Sequence, residues 1–359
     1  MTRKLNFYPG PATLPLVALE KMRDEFVDYQ GMGLSLIETS HRSKEYEAVH
    51  DGTIALIREL LSVPSNFKIL LLAGGATLQF GMVPMNFLRK GAVCDMVLTG
   101  SWAEKAFDDA KKIGTVNVIF DGKSSKFTTL PDALQPTKGA AYVHMTTNET
   151  IGGLQWQVFP DAGGVPLVAD MSSDILSRPV PVEKFGLIYA GAQKNLGPAG
   201  VTVVIIRDDM LARCTDDIPI YLNYKTHAEH NSLYNTPPVI AVYAMKLVLE
   251  WAKAQGGVRK LQETNERKAA ALYQAIDQSG GFYKCPVDPR YRSRMNVVFR
   301  LPSEELEKEF VTRSTQEGMV GLKGHRSVGG IRASIYNAMS LSGADTLASF
   351  MKEFAAAHR

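Results

Sequence analysis

The chain has 359 residues, of which 45% are hydrophobic, and its 40 lysines and arginines against 37 aspartates and glutamates leave a formal net charge of +3. This composition is typical of a globular protein with a sizeable core and, with no basic run, gives little support for a nucleic-acid partner. No apolar stretch reaches the roughly 18 residues of a membrane span, so we expect a soluble protein without a membrane partner.

The amino-terminal segment MTRKLNFYPGPATLP lacks the apolar core of a signal peptide. The three cysteines, Cys94, Cys214 and Cys285, are odd in number, far apart and not in the spacing of metal ligands. Both observations predict reduced thiols, no metal and a cytoplasmic location.

The first two-thirds of the chain alternates between helical and strand patterns. Residues 20–29 and 44–61 space their apolar side chains as helices do, and FKILLLAGG is typical of a buried strand that ends in a glycine turn. Helical segments at residues 77–88 and 102–112 are followed or preceded by more apolar runs, each predicted to be a strand: AVCDMVLTG, TVNVIF, GAAYVHM, VPLVAD, FGLIYAG and GVTVVII. The alternation predicts an α/β fold, a mostly parallel sheet sandwiched by helices, with ligands bound where strands end.

The pattern changes after about residue 237. Helical stretches at residues 238–254 and 258–278 lead to the strand MNVVFRL, a helix at residues 303–317, the strand GGIRASIYN and a closing helix. We predict a large cofactor-binding domain of residues 16–256, and a smaller α+β domain of residues 1–15 and 257–359.

An acid and an amine end two neighbouring predicted strands. VPLVAD ends in Asp170, and Lys194 follows FGLIYAG within the stretch YAGAQKNLGPAG. Lys194 is either a solvated loop lysine or a buried amine with a lowered pKa that forms an imine. Asp170 either caps a turn or holds the pyridine nitrogen of pyridoxal phosphate. The pair favours pyridoxal phosphate, because its ring needs an anionic partner to accept electrons.

Three other strand ends offer groups that suit the same cofactor. AGGAT, residues 73–77, provides backbone N–H groups for a phosphate at a strand-to-helix turn, although most such turns bind nothing. Trp102 could stack on the ring or simply pack at a helix start, and Thr150 could bind the ring oxygen or cap a turn.

Cations recur in a repeated tripeptide. His-Arg-Ser occurs at residues 41–43 and again at residues 325–327, and Arg332 follows the second copy. A solvated side chain is the ordinary state of any one arginine. Together they suggest a doubly charged substrate with a carboxylate at one end and a phosphate or second carboxylate at the other.

These residues resemble the phosphoserine aminotransferases, dimeric pyridoxal-phosphate enzymes of the class-V aminotransferase family with the aspartate-aminotransferase fold (fold type I). The shared motifs extend over nearly the whole chain and occur in order. They are NFYPGPATLP, SHRSKEY, GGATLQF, TTNETIGG, ADMSSDIL, AGAQKNLGPAG, YNTPP and GHRSVGGIRASIYNAM.

The resemblance implies a role for each matching position. Lys194 would be the imine lysine, Asp170 the partner of the pyridine nitrogen, Trp102 the stacking ring and Thr150 the donor to the ring oxygen. Some relatives have an arginine in place of Thr77, so one contact to the substrate phosphate is missing here. The resemblance also assigns the cofactor phosphate to Ala76, Thr77 and Gln193, together with Asn235 and Thr236 of a second subunit. It assigns the α-carboxylate of the substrate to Arg332. The distal anion of the substrate would be bound by His325 and Arg326, together with His41 and Arg42 across the dimer.

The implied reaction moves an amino group from L-glutamate to 3-phosphohydroxypyruvate in serine biosynthesis, and the phosphorylated keto acid of vitamin B6 synthesis is a second candidate substrate. One alternative is another fold-type I enzyme, such as a cysteine desulfurase-like protein, which needs a nucleophilic cysteine on an exposed loop. A second is a non-catalytic protein that binds phosphorylated metabolites.

Overall fold

A central seven-stranded sheet organises the structure, a computed structural model that describes residues 3–358. Residues 1, 2 and 359, which the predicted small domain includes, lie outside the described residues. The strands are β1 (Leu5–Asn6), β2 (Phe67–Leu72), β3 (Val93–Leu98), β4 (Thr115–Asp121), β5 (Val143–Thr146), β6 (Asn148–Glu149), β7 (Leu154–Gln155), β8 (Leu167–Asp170), β9 (Phe185–Gly191), β10 (Thr202–Arg207), β11 (Asn296–Phe299), β12 (Met319–Val320) and β13 (Ile331–Ser334).

Helices cover both faces of this sheet. They are α1 (Leu16–Asp24), α2 (Lys44–Leu60), α3 (Gly75–Phe87), α4 (Ser101–Ile113), α5 (Asp208–Ala212), α6 (Tyr224–Glu229), α7 (Val239–Ala254), α8 (Gly257–Asp277), α9 (Glu304–Gln316) and α10 (Leu341–Ala357). Short 3-10 turns lie at Tyr29–Gly31, Leu36–Glu38, Gly122–Ser125, Val182–Lys184, Ile220–Leu222 and Pro289–Tyr291. In the part of the chain that the structure describes, no helix is long and apolar enough to cross a membrane.

The sheet runs in the order β2-β10-β9-β8-β5-β3-β4. Strands β9, β8, β5, β3 and β4 pair in parallel, and β10 is antiparallel to both of its neighbours. Strands β5, β8 and β9 are buried along their whole length, as continuous apolar runs require when both faces of a sheet are covered. The prediction of a mostly parallel α/β fold is confirmed.

Several elements differ from the predicted ones, among them α1 and the β6–β7 hairpin. The helix predicted at residues 20–29 is partly wrong, because α1 ends at Asp24. Phe26 and Val27 are exposed, so the spacing of these apolar residues marks a surface and not the core face of a helix. The β6–β7 hairpin is too short to show a period in the sequence.

Apolar clusters form on the two faces of the sheet, and successive residues of β2 alternate between them. Ile69 and Leu71 join one cluster, while Leu70 and Leu72 join the other. A third cluster combines Phe7 with apolar side chains from residues 269–355. This grouping agrees with an amino-terminal arm that packs with the last third of the chain, and the exact domain boundaries stay a prediction.

The amino-terminal arm, residues 5–12, connects distant parts of the chain. β1 pairs in parallel with β12, and the backbone N–H of Ser334 donates to the carbonyl of Phe7 at 3.2 Å. Further along the arm, the N–H of Ala12 donates to the carbonyl of Gln193 at 2.8 Å. The arm therefore runs from the β11–β13 unit to the edge of the central sheet.

Lys268 on α8 is fully buried, and no acidic side chain of the described residues pairs with it. Its Nζ donates to the carbonyls of Ile335, Tyr336 and Met339 at 2.9, 2.8 and 3.0 Å. Burial lowers the pKa of Lys268 to about 7. The three hydrogen bonds fix the segment that follows β13 against α8.

We expect Lys268→Ala to reduce the free energy of unfolding by about 2–4 kcal/mol, because it leaves three buried carbonyls without their donor. Lys260→Ala is the matched control, since Lys260 lies exposed on the same helix in a pair with Glu263, and its loss should cost less than about 0.5 kcal/mol. Urea denaturation of both variants measures the difference. Equal stabilities would show that the Lys268 contacts contribute nothing net.

Candidate active site

A cavity of about 230 Å³ lies at the edge of the sheet where β2, β3, β5, β8 and β9 end. It is lined by many of the residues predicted for the site: Ala76, Thr77, Trp102, Thr150, Asp170, Gln193, Lys194, His325 and Arg332. Most of them follow strands of one sheet, and the carboxyl ends of parallel strands meet at one edge. The topology therefore brings side chains from distant segments to one point.

Lys194 is placed by the turn after β9. Its backbone N–H donates to the carbonyl of Ala192 at 2.7 Å, and its Nζ donates to Thr150 Oγ1 at 2.8 Å. Burial lowers the pKa of Lys194 to about 8, although the charges of Asp170 and Glu149 oppose this shift. The unprotonated fraction of the amine near neutral pH is therefore much larger than in an ordinary lysine, which suits a nucleophile or general base.

Asp170 ends β8 and is buried at the floor of the same cavity. Burial raises the pKa of its carboxyl, while hydrogen bonds from Ser172 and the charge of Lys194 lower it. One carboxylate oxygen accepts the backbone N–H of Ser172 at 2.8 Å. The contact fixes the acid beside the cavity, where it can hold a cationic group of a ligand.

Helix α3 presents its amino terminus to the cavity. Gly74 precedes it with φ 93°, and a Cβ there would lie 2.5 Å from Leu78 Cδ2, so glycine is needed at this turn. Gly74 has no side chain to cap the helix, and no other side chain among residues 3–358 does so. The first N–H groups, among them those of Ala76 and Thr77, are therefore free to bind an anion.

Arginine and histidine from the end of the chain form the other wall. Arg332 on β13 is buried and donates through Nη1 to the carbonyl of Thr150 at 3.3 Å. Burial lowers the pKa of Arg332, and burial and the nearby arginines lower the pKa of His325. Arg326 is exposed and lines a neighbouring cavity of about 640 Å³.

Four predicted residues lie away from this cavity. His41, Arg42, Asn235 and Thr236 do not line it. His41 Nδ1 and Thr236 Oγ1 lie 3.3 Å apart, so the two segments meet each other elsewhere on the surface. Within one chain, the structure does not bring this group to Lys194.

Sequence reasoning overlooked several contributors, among them two residues of the amino-terminal arm and one buried acid. Pro9 and Gly10 of the amino-terminal arm line the cavity, and a Cβ at Gly10 would lie 3.5 Å from Lys194 Cγ. Glu149 is buried directly behind Trp102 and accepts its backbone N–H. A single acid in the otherwise uncharged motif TTNET was the available signal.

Several buried polar atoms around the cavity have no partner within the described chain. They are Thr146 Oγ1, Trp102 Nε1 and Arg332 Nε. Such atoms are rare in folded proteins unless a ligand or water satisfies them. Together with the carboxylate of Asp170, the amine of Lys194, an aromatic face and a helix terminus, they fit the predicted pyridoxal phosphate.

No group of three or more histidines, cysteines, aspartates or glutamates in residues 3–358 could hold a metal ion.

Comparisons with known proteins agree with this chemistry. The family model described as aminotransferase class-V matches residues 4–347. A phosphoserine aminotransferase of Geobacillus kaustophilus is 56% identical, with 99% of each chain covered. Two solved structures are also similar: a phosphoserine aminotransferase from Bacillus circulans subsp. alkalophilus (TM-score 0.98, 53% identity, 99% of each chain) and a pyridoxal-phosphate-bound one from Trichomonas vaginalis (TM-score 0.92, 40% identity, 98% of this chain and all of the other).

The lowered pKa of Lys194 can be tested by acetylation with acetic anhydride. In the cofactor-free protein, we expect Lys194 to become reactive with a midpoint near the pKa of about 8. An ordinary lysine has a pKa of about 10.4 and reacts at higher pH. Competitive labelling across the pH range, read peptide by peptide by mass spectrometry, compares them in one sample. A midpoint for Lys194 equal to that of the surface lysines would contradict the assignment.

Proposed function

The chain belongs to the class-V aminotransferase family, and we propose that it transfers the amino group between L-glutamate and 3-phosphohydroxypyruvate, giving O-phospho-L-serine and 2-oxoglutarate. This is the activity of a phosphoserine aminotransferase in serine biosynthesis. The observation that carries the proposal is one cavity lined by Lys194, Asp170 and Arg332. An amine, an acid and a carboxylate-binding guanidinium are the groups that transamination needs.

The cofactor is pyridoxal phosphate, which when bound supplies an aldehyde that condenses with amines and a ring that takes up electrons from the substrate's α-carbon. We assign Asp170 to the pyridine nitrogen and Trp102 to the face of the ring. Thr150 is assigned to the ring oxygen. Ala76, Thr77 and Gln193 bind the phosphate near the start of α3, where free N–H groups and the helix dipole favour an anion.

Lys194 is the group that moves the proton. With a pKa of about 8, its amine can take the proton from the substrate's α-carbon and return it one step later. In the cofactor-free protein, the 2.8 Å hydrogen bond to Thr150 Oγ1 keeps the amine inside the cavity. One side chain thus serves as anchor, base and acid.

Arginine geometry accounts for the choice of substrate. Arg332 lines the cavity, and the planar fork of a guanidinium suits the α-carboxylate of an amino or keto acid. His325 and Arg326, at the outer end, bind the distal anion. Because glutamate and 3-phosphohydroxypyruvate both carry an anion at that end, one cluster of cations can serve both substrates.

We also propose a homodimer with composite sites, in which Asn235, Thr236, His41 and Arg42 reach the cavity of a second copy. These residues do not line the cavity of their own chain. Exposed apolar side chains, which are typical of a protein interface, concentrate in the two segments of the sequence that contain or precede these residues. They include Tyr8, Leu16, Val17, Phe26, Val27, Leu34 and Ile37, with Ile220 and Tyr234 further on.

The cysteine desulfurase alternative lacks its nucleophile. Burial raises the pKa of Cys94 to about 11 and that of Cys214 to about 12, and it also raises that of Cys285. A nucleophilic cysteine needs a lowered pKa and an accessible loop. We propose that the enzyme is cytoplasmic, which is consistent with these reduced thiols. We also propose that it accepts the phosphorylated keto acid of vitamin B6 synthesis as a second substrate.

The direct test of the function is an assay of glutamate with 3-phosphohydroxypyruvate, repeated with the vitamin B6 keto acid. Wild-type protein should form 2-oxoglutarate, and Lys194→Ala should lower the rate at least about a thousandfold because anchor and proton carrier are lost together. Lys184→Ala, which changes an exposed lysine outside the cavity, should retain normal activity. A phosphometabolite-binding protein would bind the keto acid without any turnover.

The composite sites can be tested by mixing two variants: Arg42→Ala, which should bind both substrates weakly, and Lys194→Ala, which should be inactive. If Arg42 acts across the interface, a mixed dimer has one site with both defects and one with neither. Random exchange at equal concentrations should then restore about a quarter of wild-type activity, because half of the dimers carry one intact site. Proven subunit exchange without recovery would mean that Arg42 serves its own chain.

A further inference from the structure

Glu149 is a buried carboxylate that belongs to no step of the reaction described above. It is 1% exposed and ends β6, immediately before Thr150. Its Oε2 accepts the backbone N–H of Trp102 at 3.2 Å, and its Oε1 accepts that of Ala103 at 3.1 Å. The hydroxyl of Thr99 also lies 3.4 Å from Oε1.

These contacts make Glu149 the cap of α4, although it lies far away in sequence. Gly100 precedes the helix, and no side chain from its own segment caps it. Both carboxylate oxygens are used as acceptors, and the negative charge lies at the positive end of the helix dipole. Among uncharged side chains, none offers two equivalent acceptor oxygens in this arrangement.

Gly100 shows how closely the carboxylate is held. A Cβ at this position would lie 2.5 Å from Glu149 Cδ and 2.7 Å from its Oε2. Gly100 has an extended backbone that other residues adopt readily, so it is the contact with Glu149 that requires glycine. The carboxylate therefore fits into a space that only a missing side chain leaves open.

The cap lies directly behind the wall of the cavity. Trp102 follows Gly100 by two residues and lines the cavity, with Lys194 Nζ 5.8 Å from its ring centroid. Its indole Nε1 has no partner in the described chain, so that atom does not fix the ring. Thr150, which receives the hydrogen bond from Lys194, is the next residue after Glu149.

We propose that Glu149 is a positioning residue for the cofactor pocket, whose carboxylate fixes the start of α4 so that the Trp102 ring forms one wall of the pyridoxal phosphate site. The proposal rests on the cofactor and on the stacking role of Trp102 given above. Burial raises the pKa of Glu149 to about 7, and the two backbone N–H groups oppose this shift, so the contacts favour the ionised form. Glu149 acts through Trp102 and need not touch the substrate.

The first test is Glu149→Gln, which keeps the shape but turns an NH₂ group toward a backbone N–H. In the cofactor-free protein, amide hydrogens of residues 101–104 should exchange faster, and the Kd for pyridoxal phosphate should rise about tenfold or more. Glu104→Gln is the matched control: Glu104 is in the first turn of the same helix but pairs with Lys123 on the surface. It should leave both measurements unchanged.

A double-mutant cycle separates positioning from a general loss of structure. Trp102→Ala removes the stacking ring, so adding Glu149→Gln to it should weaken pyridoxal phosphate binding by less than twofold, whereas the same change in wild type costs tenfold. The induced circular dichroism of the bound cofactor should change in Glu149→Gln as well. Fully additive costs would overturn the proposal, because Glu149 would then act independently of Trp102.

Gly100→Ala gives an independent route if Glu149→Gln does not fold. Its Cβ would displace the carboxylate while retaining the charge, and the Kd should rise as in Glu149→Gln. Unchanged binding in this variant would overturn the proposal. Wild-type protein that binds pyridoxal phosphate but does not transaminate would reject the proposed function alone, since none of these binding measurements depends on turnover.

Discussion

The active site depends on one constraint: the amine of Lys194 must stay partly unprotonated although the nearby acids Asp170 and Glu149 favour its charged form. Burial lowers the pKa of Lys194 to about 8, while Asp170 and Glu149 pull in the other direction. Neither the amine nor the acids could be buried alone without a large desolvation cost. Their common location at the ends of parallel strands lets each offset part of the others' cost, and the same edge leaves room for a ligand. Reactivity and stability are therefore set by one group of charges.

The sequence revealed the parts of the fold that follow a local rule. β8 and β9 are continuous apolar runs that end in Asp170 and just before Lys194, so their shared edge could be predicted. Residues 20–29 misled because apolar spacing does not distinguish a face that packs in the core from one that is exposed on a single chain. Glu149 left only a weak signal, the single acid of the motif TTNET, because its partners are backbone groups 46 and 47 residues away. The position of Arg42 relative to a second copy is likewise beyond any local pattern.

Buried polar side chains join the β6–β7 hairpin and the turn after β9 to segments in and next to the β11–β13 unit. Asn148 donates to Asn296 at 2.8 Å and accepts from Ser293 at 2.6 Å. Close to Lys194, the side chain of Asn195 accepts the backbone N–H of Asn337 at 2.9 Å. Such bonds are directional, whereas apolar contacts alone would allow the units to slide. The network therefore fixes Arg332, on one unit, relative to Lys194 on the other.

The amino-terminal arm has a consequence for the order in which the enzyme is made. Ribosomes synthesise the arm before its partners, because β1 pairs with Met319–Val320 and Phe7 accepts a hydrogen bond from Ser334. The arm therefore stays without these partners until segments more than 300 residues later have been made. Until then, Pro9 and Gly10 are not held in place as a wall of the Lys194 cavity. A nascent chain can form the central sheet early but cannot complete its active site. Cofactor binding thus requires that the chain has been made beyond Arg332, and fragments released from the ribosome before that point would not hold pyridoxal phosphate in a fully formed pocket.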